Sequence, residues 1–210
     1  HTVGKYYENG NFMSNLNIPI PGLHNLSNIT AAIAASRMIG VDFLKIKKNI
    51  KYLKLPKKRF EFRGRIHERN LYDDYAHHPN EIKETIKLGR LFIKQKNNNE
   101  FHKGRLIAIF QPHRYSRAKQ FTKEFAEELS KADVIYVTSI YGAGEENENN
   151  ITSKIITDLI YKQNKNVSYI KNYHEISRNF YELTQKGDLI LNMGAGDCHN
   201  FWSILNEENN

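Results

Sequence analysis

The chain has 210 residues, 40% of them hydrophobic, a single cysteine and a formal net charge of +8. That length suits one large domain, or one domain with part of another. Composition argues against three classes: no apolar run approaches the roughly 18 residues of a membrane span, no leader-like pattern marks the first residues, and a lone Cys198 cannot close an internal disulfide, which fits a reducing cytoplasm. The lysines are scattered, and the densest basic run, Lys54–Arg59, is short and has no interleaved aromatics. A solvated basic surface is therefore expected rather than a nucleic-acid groove. Beginning at His1 rather than Met, the chain reads as a fragment of a longer protein.

Two short strands are predicted up to Pro21, around a turn at Glu8–Asn11. A small-residue helix over Ile29–Ile39 follows, stopped by Gly40. A second helix is predicted from Asp42 to Leu53, and Pro56 with the basic cluster reads as a linker. From Arg59 the pattern becomes βα alternation. Strands are predicted at Phe60–Ile66, Leu71–Tyr75, Leu106–Phe110, Val134–Thr138, Val167–Ile170 and Leu189–Asn192. Helices are predicted at Pro79–Lys96, Ser116–Ser130, Thr152–Lys162, Tyr173–Leu183 and Cys198–Leu205, with exposed loops at Asn97–Glu100 and Glu145–Asn150. Apolar strands separated by helices imply a doubly wound, mostly parallel α/β sheet covered on both faces.

Phe110-Gln-Pro-His-Arg-Tyr-Ser-Arg117 is the most informative stretch. It puts His113, Arg114, Tyr115, Ser116 and Arg117 at a strand-to-helix turn, and such crevices bind ligands in open α/β sheets. Two arginines three residues apart at a helix start are expected to share a face. Their planar forks suit a carboxylate or phosphate. Leu71-Tyr-Asp-Asp-Tyr-Ala-His-His-Pro79 is the second such stretch. Pro79 and Glu81 are explained by a helix start, which leaves Asp73, Asp74, Tyr75, His77 and His78 at a strand end. Adjacent histidines diverge, so no structural zinc is expected there. Gly194-Ala-Gly-Asp197 and Ile140-Tyr-Gly-Ala-Gly-Glu145 each follow a strand; either fits a plain turn as well as a ligand loop. Phosphate-loop, nucleophile-elbow and Cys-X-X-Cys patterns are absent.

Together with Pro21-Gly-Leu-His-Asn-Leu-Ser-Asn28 and Arg59-Phe-Glu61, these motifs occur in the order that resembles the Mur ligases, over essentially the whole chain. The resemblance implies a Rossmann-like C-terminal domain over residues 58–210. It makes residues 1–57 a remnant of the central ATP-binding domain, and it leaves the UDP-sugar domain, the phosphate loop and most magnesium ligands outside the chain. Lys58 departs from the arginine common at that place.

The implied activity is cytoplasmic and belongs to peptidoglycan precursor synthesis: ATP, with Mg2+, activates the lactyl carboxylate of UDP-N-acetylmuramate for attack by L-alanine. The fragment alone is expected to be inactive. The resemblance assigns Asn25 and Asn28 to adenine, Arg59 to the phosphates and Asp74 to the ribose hydroxyls. It assigns Tyr75, His77, His113, Arg114 and Arg117 to the amino-acid pocket, with His77, Arg114 and Arg117 nearest the chemistry. Helix capping is the plainer account of Asn25 or Asn28. Two rivals stand beside this one. A recycling ligase that attaches a tripeptide is expected to lack the paired arginines. A non-catalytic nucleotide- or nucleic-acid-binding module rests on the charge alone.

Overall fold

The computed structural model describes residues 2–97, 104–148 and 150–209. From residue 98, the loop expected at Asn97–Glu100 lies outside them, as does Asn149 in the second loop. The chain divides into two compact units, 1–56 and 57–210.

In the first unit, β1 (Thr2–Glu8) and β2 (Asn11–Ile18) form an antiparallel hairpin. Asn9 and Gly10 turn it with φ of 49° and 81°, the left-handed pair that matches strand twist. Helices α1 (Leu23–Met38) and α2 (Phe43–Asn49) follow, the latter running into a 3-10 turn at Ile50–Tyr52. Their core is Tyr6, Leu16, Ile18, Ile29, Ile33, Phe43 and Ile50. Asp42 caps α2 by accepting from Leu44 N and Lys45 N. The first helix starts six residues earlier than the sequence predicts. Gly22, at φ 101°, makes the sharp entry into it.

The second unit is one six-stranded sheet in the order β3-β4-β8-β5-β6-β7. Its strands are β3 (Glu61–Ile66), β4 (Arg69–Asp74), β5 (Leu106–Phe110), β6 (Val134–Val137), β7 (Val167–Tyr169) and β8 (Leu189–Met193). Only β3 is antiparallel to its neighbour. The helices are α3 (Pro79–Asn97), α4 (Tyr115–Gln120), α5 (Thr122–Leu129), α6 (Lys154–Gln163), α7 (Tyr173–Arg178), α8 (Phe180–Leu183) and α9 (Phe201–Asn209). Alternation along the strands sends side chains to opposite faces. Leu106, Ala108, Phe110, Leu189, Leu191 and Met193 meet Ile86, Phe125, Leu129 and Ile160 from α3, α5 and α6. Ile107, Ile109 and Ile190 meet Ile176, Phe180, Phe201 and Leu205 from α7, α8 and α9. Each leucine, isoleucine, phenylalanine or methionine among them contributes about 1.5–3 kcal/mol when fully buried.

Three predicted helices of the second unit are broken. The Ser116–Ser130 helix is two, α4 and α5, meeting at Phe121 (φ −108°, ψ 22°). The Phe121 ring packs edge-on to His78 at 4.8 Å, a tertiary contact with no local sequence mark. The Tyr173–Leu183 helix divides at Asn179. Residues 197–200 form a 3-10 turn before α9.

At the amino-terminal end of the sheet, Asp188 is fully buried. Its Oδ1 accepts from Arg105 N and Nε, and its Oδ2 from Arg105 Nη2 (2.7 Å) and Gln185 N (2.8 Å). The carboxyl ends of β4, β8 and β5 adjoin at the opposite end, where the two informative motifs emerge.

Candidate functional site

Four segments converge at the carboxyl ends of these strands because each directly follows one: 75–78 after β4, 111–117 after β5, 141–145 after β6 and 194–197 after β8. His77 and His113 lie with ring centroids 5.9 Å apart, and Tyr75 meets His77 edge-on at 5.1 Å. Arg59 lies over the Tyr75 ring at 5.8 Å and pairs with Glu81 at 3.3 Å. Glu81 Oε2 accepts from His77 N and His78 N, closing the start of α3. Burial would raise the Glu81 carboxyl, but the His77 amide and the charges of His77 and Arg59 bring it below the ordinary range.

The Nδ1 of His77 faces the carbonyl of Tyr75 at 2.8 Å. A carbonyl only accepts, so that nitrogen carries a proton. At His113 the same nitrogen accepts instead. Arg117 Nη1 lies 3.4 Å from His113 Nδ1, and a guanidinium only donates. Burial lowers the His113 pKa, with the positive Arg117, His77 and Arg114 adding to it. Both effects, like the donor facing Nδ1, favour the neutral ring. It stacks on Tyr141, with centroids 5.6 Å apart and planes 15° apart.

The two arginines do not share a helical face. Helix α4 begins at Tyr115, and Arg114 precedes it in a left-handed conformation, φ 72°. Arg114 pairs with Glu145 at 3.6 Å, while Arg117 reaches His113. Among the described residues, Arg117 has no carboxylate partner within ion-pair distance.

Asp74 is buried; its Oδ2 accepts from Phe60 N and its Oδ1 from Ala76 N, both at 2.8 Å. These bonds fix the turn that delivers Tyr75 and His77. Burial raises its pKa, and the two amides hold it down. Its neighbour Asp73 points to the other face of the sheet, where Oδ1 accepts from Asn192 Nδ2 at 2.9 Å and Arg63 lies 3.4 Å from Oδ2. Burial lifts Asp73 to about 6, against the Asn192 hydrogen bond and the Arg63 charge.

Between about pH 4 and 6 the folded state therefore holds a proton at Asp73 that the unfolded chain has released. The Asp73 contribution to stability falls as pH rises through that window and is lowest above it. Asp73→Asn is expected to stabilise the protein at pH 7, on the order of 1–2 kcal/mol, with the gain vanishing near pH 4. Denaturant midpoints of both proteins at the two pH values check this.

Asn25 and Asn28 lie one turn apart in α1. Asn25 is buried and its Nδ2 donates to Pro21 O at 2.7 Å, while Asn28 is exposed. Neither caps the helix: Gly22 holds that position, without a side-chain cap. The capping account is therefore replaced by two asparagines inside the helix.

Sequence reasoning missed Tyr141, Glu145 and Gln111. Tyr141 and Glu145 come from the loop that fitted a plain turn. Gln111 Nε2 donates to Asp197 Oδ1 at 2.6 Å, tying the 111–117 turn to the glycine turn. A Cβ on Gly196 would lie 2.6 Å from Gln111 Oε1 and from Tyr141 Cγ, which gives that glycine a packing reason. Among the described residues no three His, Cys, Asp or Glu side chains are grouped to hold a metal ion, and no helix is long and apolar enough to cross a membrane.

Residues 58–196 match the family described as Mur ligase, glutamate ligase domain. A UDP-N-acetylmuramate–L-alanine ligase of Prochlorococcus marinus subsp. pastoris is 68% identical over 209 residues, covering 99% of this chain and 44% of that protein. The chain thus spans less than half the length of the curated relatives it matches. The crystal structure of a UDP-N-acetylmuramate–alanine ligase from Thermotoga maritima has a TM-score of 0.74 at 24% identity, covering 96% of this chain and 41% of that one. A MurF ligase from the same organism, solved in complex with ADP, has a TM-score of 0.62 at 18% identity, covering 98% and 43%. At those identities the likeness is one of fold. With two thirds of its length matched by the family and the same fold recurring in these structures, the chain belongs to the Mur ligases.

Proposed function

We propose that the protein to which this chain belongs joins L-alanine to the lactyl carboxylate of UDP-N-acetylmuramate, with ATP as phosphoryl donor, in cytoplasmic peptidoglycan precursor synthesis. The observation that carries this reading is the convergence of Tyr75, His77, His113 and Arg117 on one crevice, with Arg117 lacking a carboxylate partner among the described residues. The name of the 68% identical relative supports it.

A carboxylate is a poor electrophile, so its oxygen first attacks the γ-phosphorus of ATP and ADP leaves. The alanine ammonium gives up a proton to solvent, its nitrogen attacks the acyl carbon, the C–O bond to phosphate breaks, inorganic phosphate leaves, and the nitrogen loses a second proton to become the amide. Arg117 takes the alanine carboxylate through its planar fork. Tyr75, His77 and His113 wall the pocket, and Arg114 lines its edge. A neutral His113 adds no second positive charge against the ammonium of the incoming amino acid.

For the nucleotide, the exposed Asn28 amide offers a donor and an acceptor to adenine, beside Asn25. Arg59, loosely held by Glu81, is assigned to the phosphates. Asp74 is assigned to the ribose, because each of its oxygens has one lone pair left after its backbone bond. Among the described residues no three His, Cys, Asp or Glu side chains are grouped to hold a magnesium ion.

The test is amide formation from labelled alanine. The full-length protein is expected to form product only with ATP and UDP-N-acetylmuramate both present; the 210-residue chain forms none. Asn28→Ala in the full-length protein is expected to raise the KM for ATP several-fold, for a lost polar contact of about 1 kcal/mol. Product formed without ATP, or none from the full-length protein, would overturn the reading.

A further inference from the structure

The loop 140–145 delivers a carboxylate to the turn that holds the arginines. Tyr141 N donates to Pro112 O and Arg114 N to Tyr141 O, both at 2.8 Å, so the loop runs beside residues 112–114 like one more strand. A Cβ on Gly142 would lie 2.9 Å from the Tyr115 ring, so the backbone passes directly against it. Ala143 and Gly144 are both left-handed, φ 51° and 84°, and they turn the chain back. Glu145 then reaches the start of α4. Its Oε2 accepts from Ser116 N at 3.0 Å and its Oε1 from Ser116 Oγ at 2.7 Å, with Arg114 Nη1 3.6 Å away. These are the donors that the sequence would offer to a ligand anion, and the chain's own carboxylate fills them.

We propose that Glu145 is a positioning residue for amino-acid binding, fixing the first turn of α4 and engaging Arg114 so that Arg117 alone presents an open fork to the amino-acid carboxylate. The inference rests on the proposed function of this crevice. Arg114 precedes the helix in a backbone conformation that L side chains rarely adopt, and such a residue persists only where its surroundings hold it. Glu145, through Ser116 and Arg114, together with the Tyr141 backbone, is what holds it here. Arg117 sits one residue beyond Ser116, so a start of α4 that frays carries Arg117 with it. Glu145 lies 28 residues downstream of Arg117, and the β6 connection brings it there.

The test is steady-state kinetics on the full-length protein, with alanine and ATP varied separately. Glu145→Ala is expected to raise the KM for alanine about tenfold, with the KM for ATP within about twofold. Glu145→Gln keeps one oxygen to accept from Ser116 and is expected to recover part of that loss, giving about a threefold rise. An unchanged KM for alanine in either variant overturns the proposal. So does an equal rise for both substrates, which is the mark of general loosening. If Glu145→Ala fails to fold, Glu145→Gln decides alone. Arg117→Lys run in parallel separates the two levels. If it alone moves alanine binding, the pocket reading stands and the role of Glu145 falls; if it too leaves alanine binding unchanged, the pocket reading has failed.

Discussion

Replacing Arg117 by lysine in the full-length protein raises the KM for alanine about tenfold or more, and leaves the KM for ATP nearly unchanged. Alanine offers one methyl group for apolar contact, so its charged ends must supply most of the binding. Lysine keeps the charge but loses the fork that meets both carboxylate oxygens. A loss of about 1.4 kcal/mol is a factor of ten. Arg117→Ala removes the charge as well and is expected to cost about a hundredfold. Arg114→Lys is expected to matter less, because Arg114 already faces Glu145. Kinetics with alanine and ATP varied separately decide the matter. If Arg114→Lys is the damaging change, the carboxylate is bound on the Glu145 side of the turn. An effect on ATP alone would make the turn a phosphate site.

The second large effect is on stability. Asp188→Ala is expected to destabilise the second unit by about 3 kcal/mol, near the low end for breaking a buried pair. The substitution strands Gln185 N and removes three donors' acceptor from Arg105. Arg105 is one-third exposed, so water recovers part of that loss. Trp202 is the single tryptophan and lies in α9, so its fluorescence reports unfolding of this unit. The denaturant midpoint for Asp188→Ala against wild type measures the difference. A change below about 1 kcal/mol would mean that rehydration replaces the whole network.

Strand β5 was legible to the residue, because a five-residue apolar run buried on both faces has one good conformation in an α/β chain. That both motifs sit at strand ends was legible for a related reason, while the grouping of Tyr75, His77, His113 and Arg117 came from the family resemblance. The partition of the arginines was not legible. It depends on a left-handed Arg114 and on a carboxylate supplied from beyond β6, and neither leaves a local mark. The break at Phe121 was hidden in the same way. The amphipathic pattern runs through it without glycine or proline, and the contact with His78 comes from another segment. The early start of α1 was missed because His24, Asn25, Ser27 and Asn28 interrupt the small apolar run from which the helix was read, while Gly22 provides the entry.

The last strand of the chain occupies a central place in the sheet, between β4 and β5. That arrangement sets an order on biosynthesis. Until residues 189–193 have left the ribosome, β4 and β5 each present an unpaired edge, that of β5 wholly apolar, and such edges invite pairing with other chains. The strand that joins them closes contacts across more than 110 residues of sequence, as between Asn192 and Asp73, and long-range closure slows folding. The sheet therefore closes only after residue 193 has been made. A chain ending before Gly187 would be expected to enter inclusion bodies, whereas one ending within α9 would lose only part of one flanking layer.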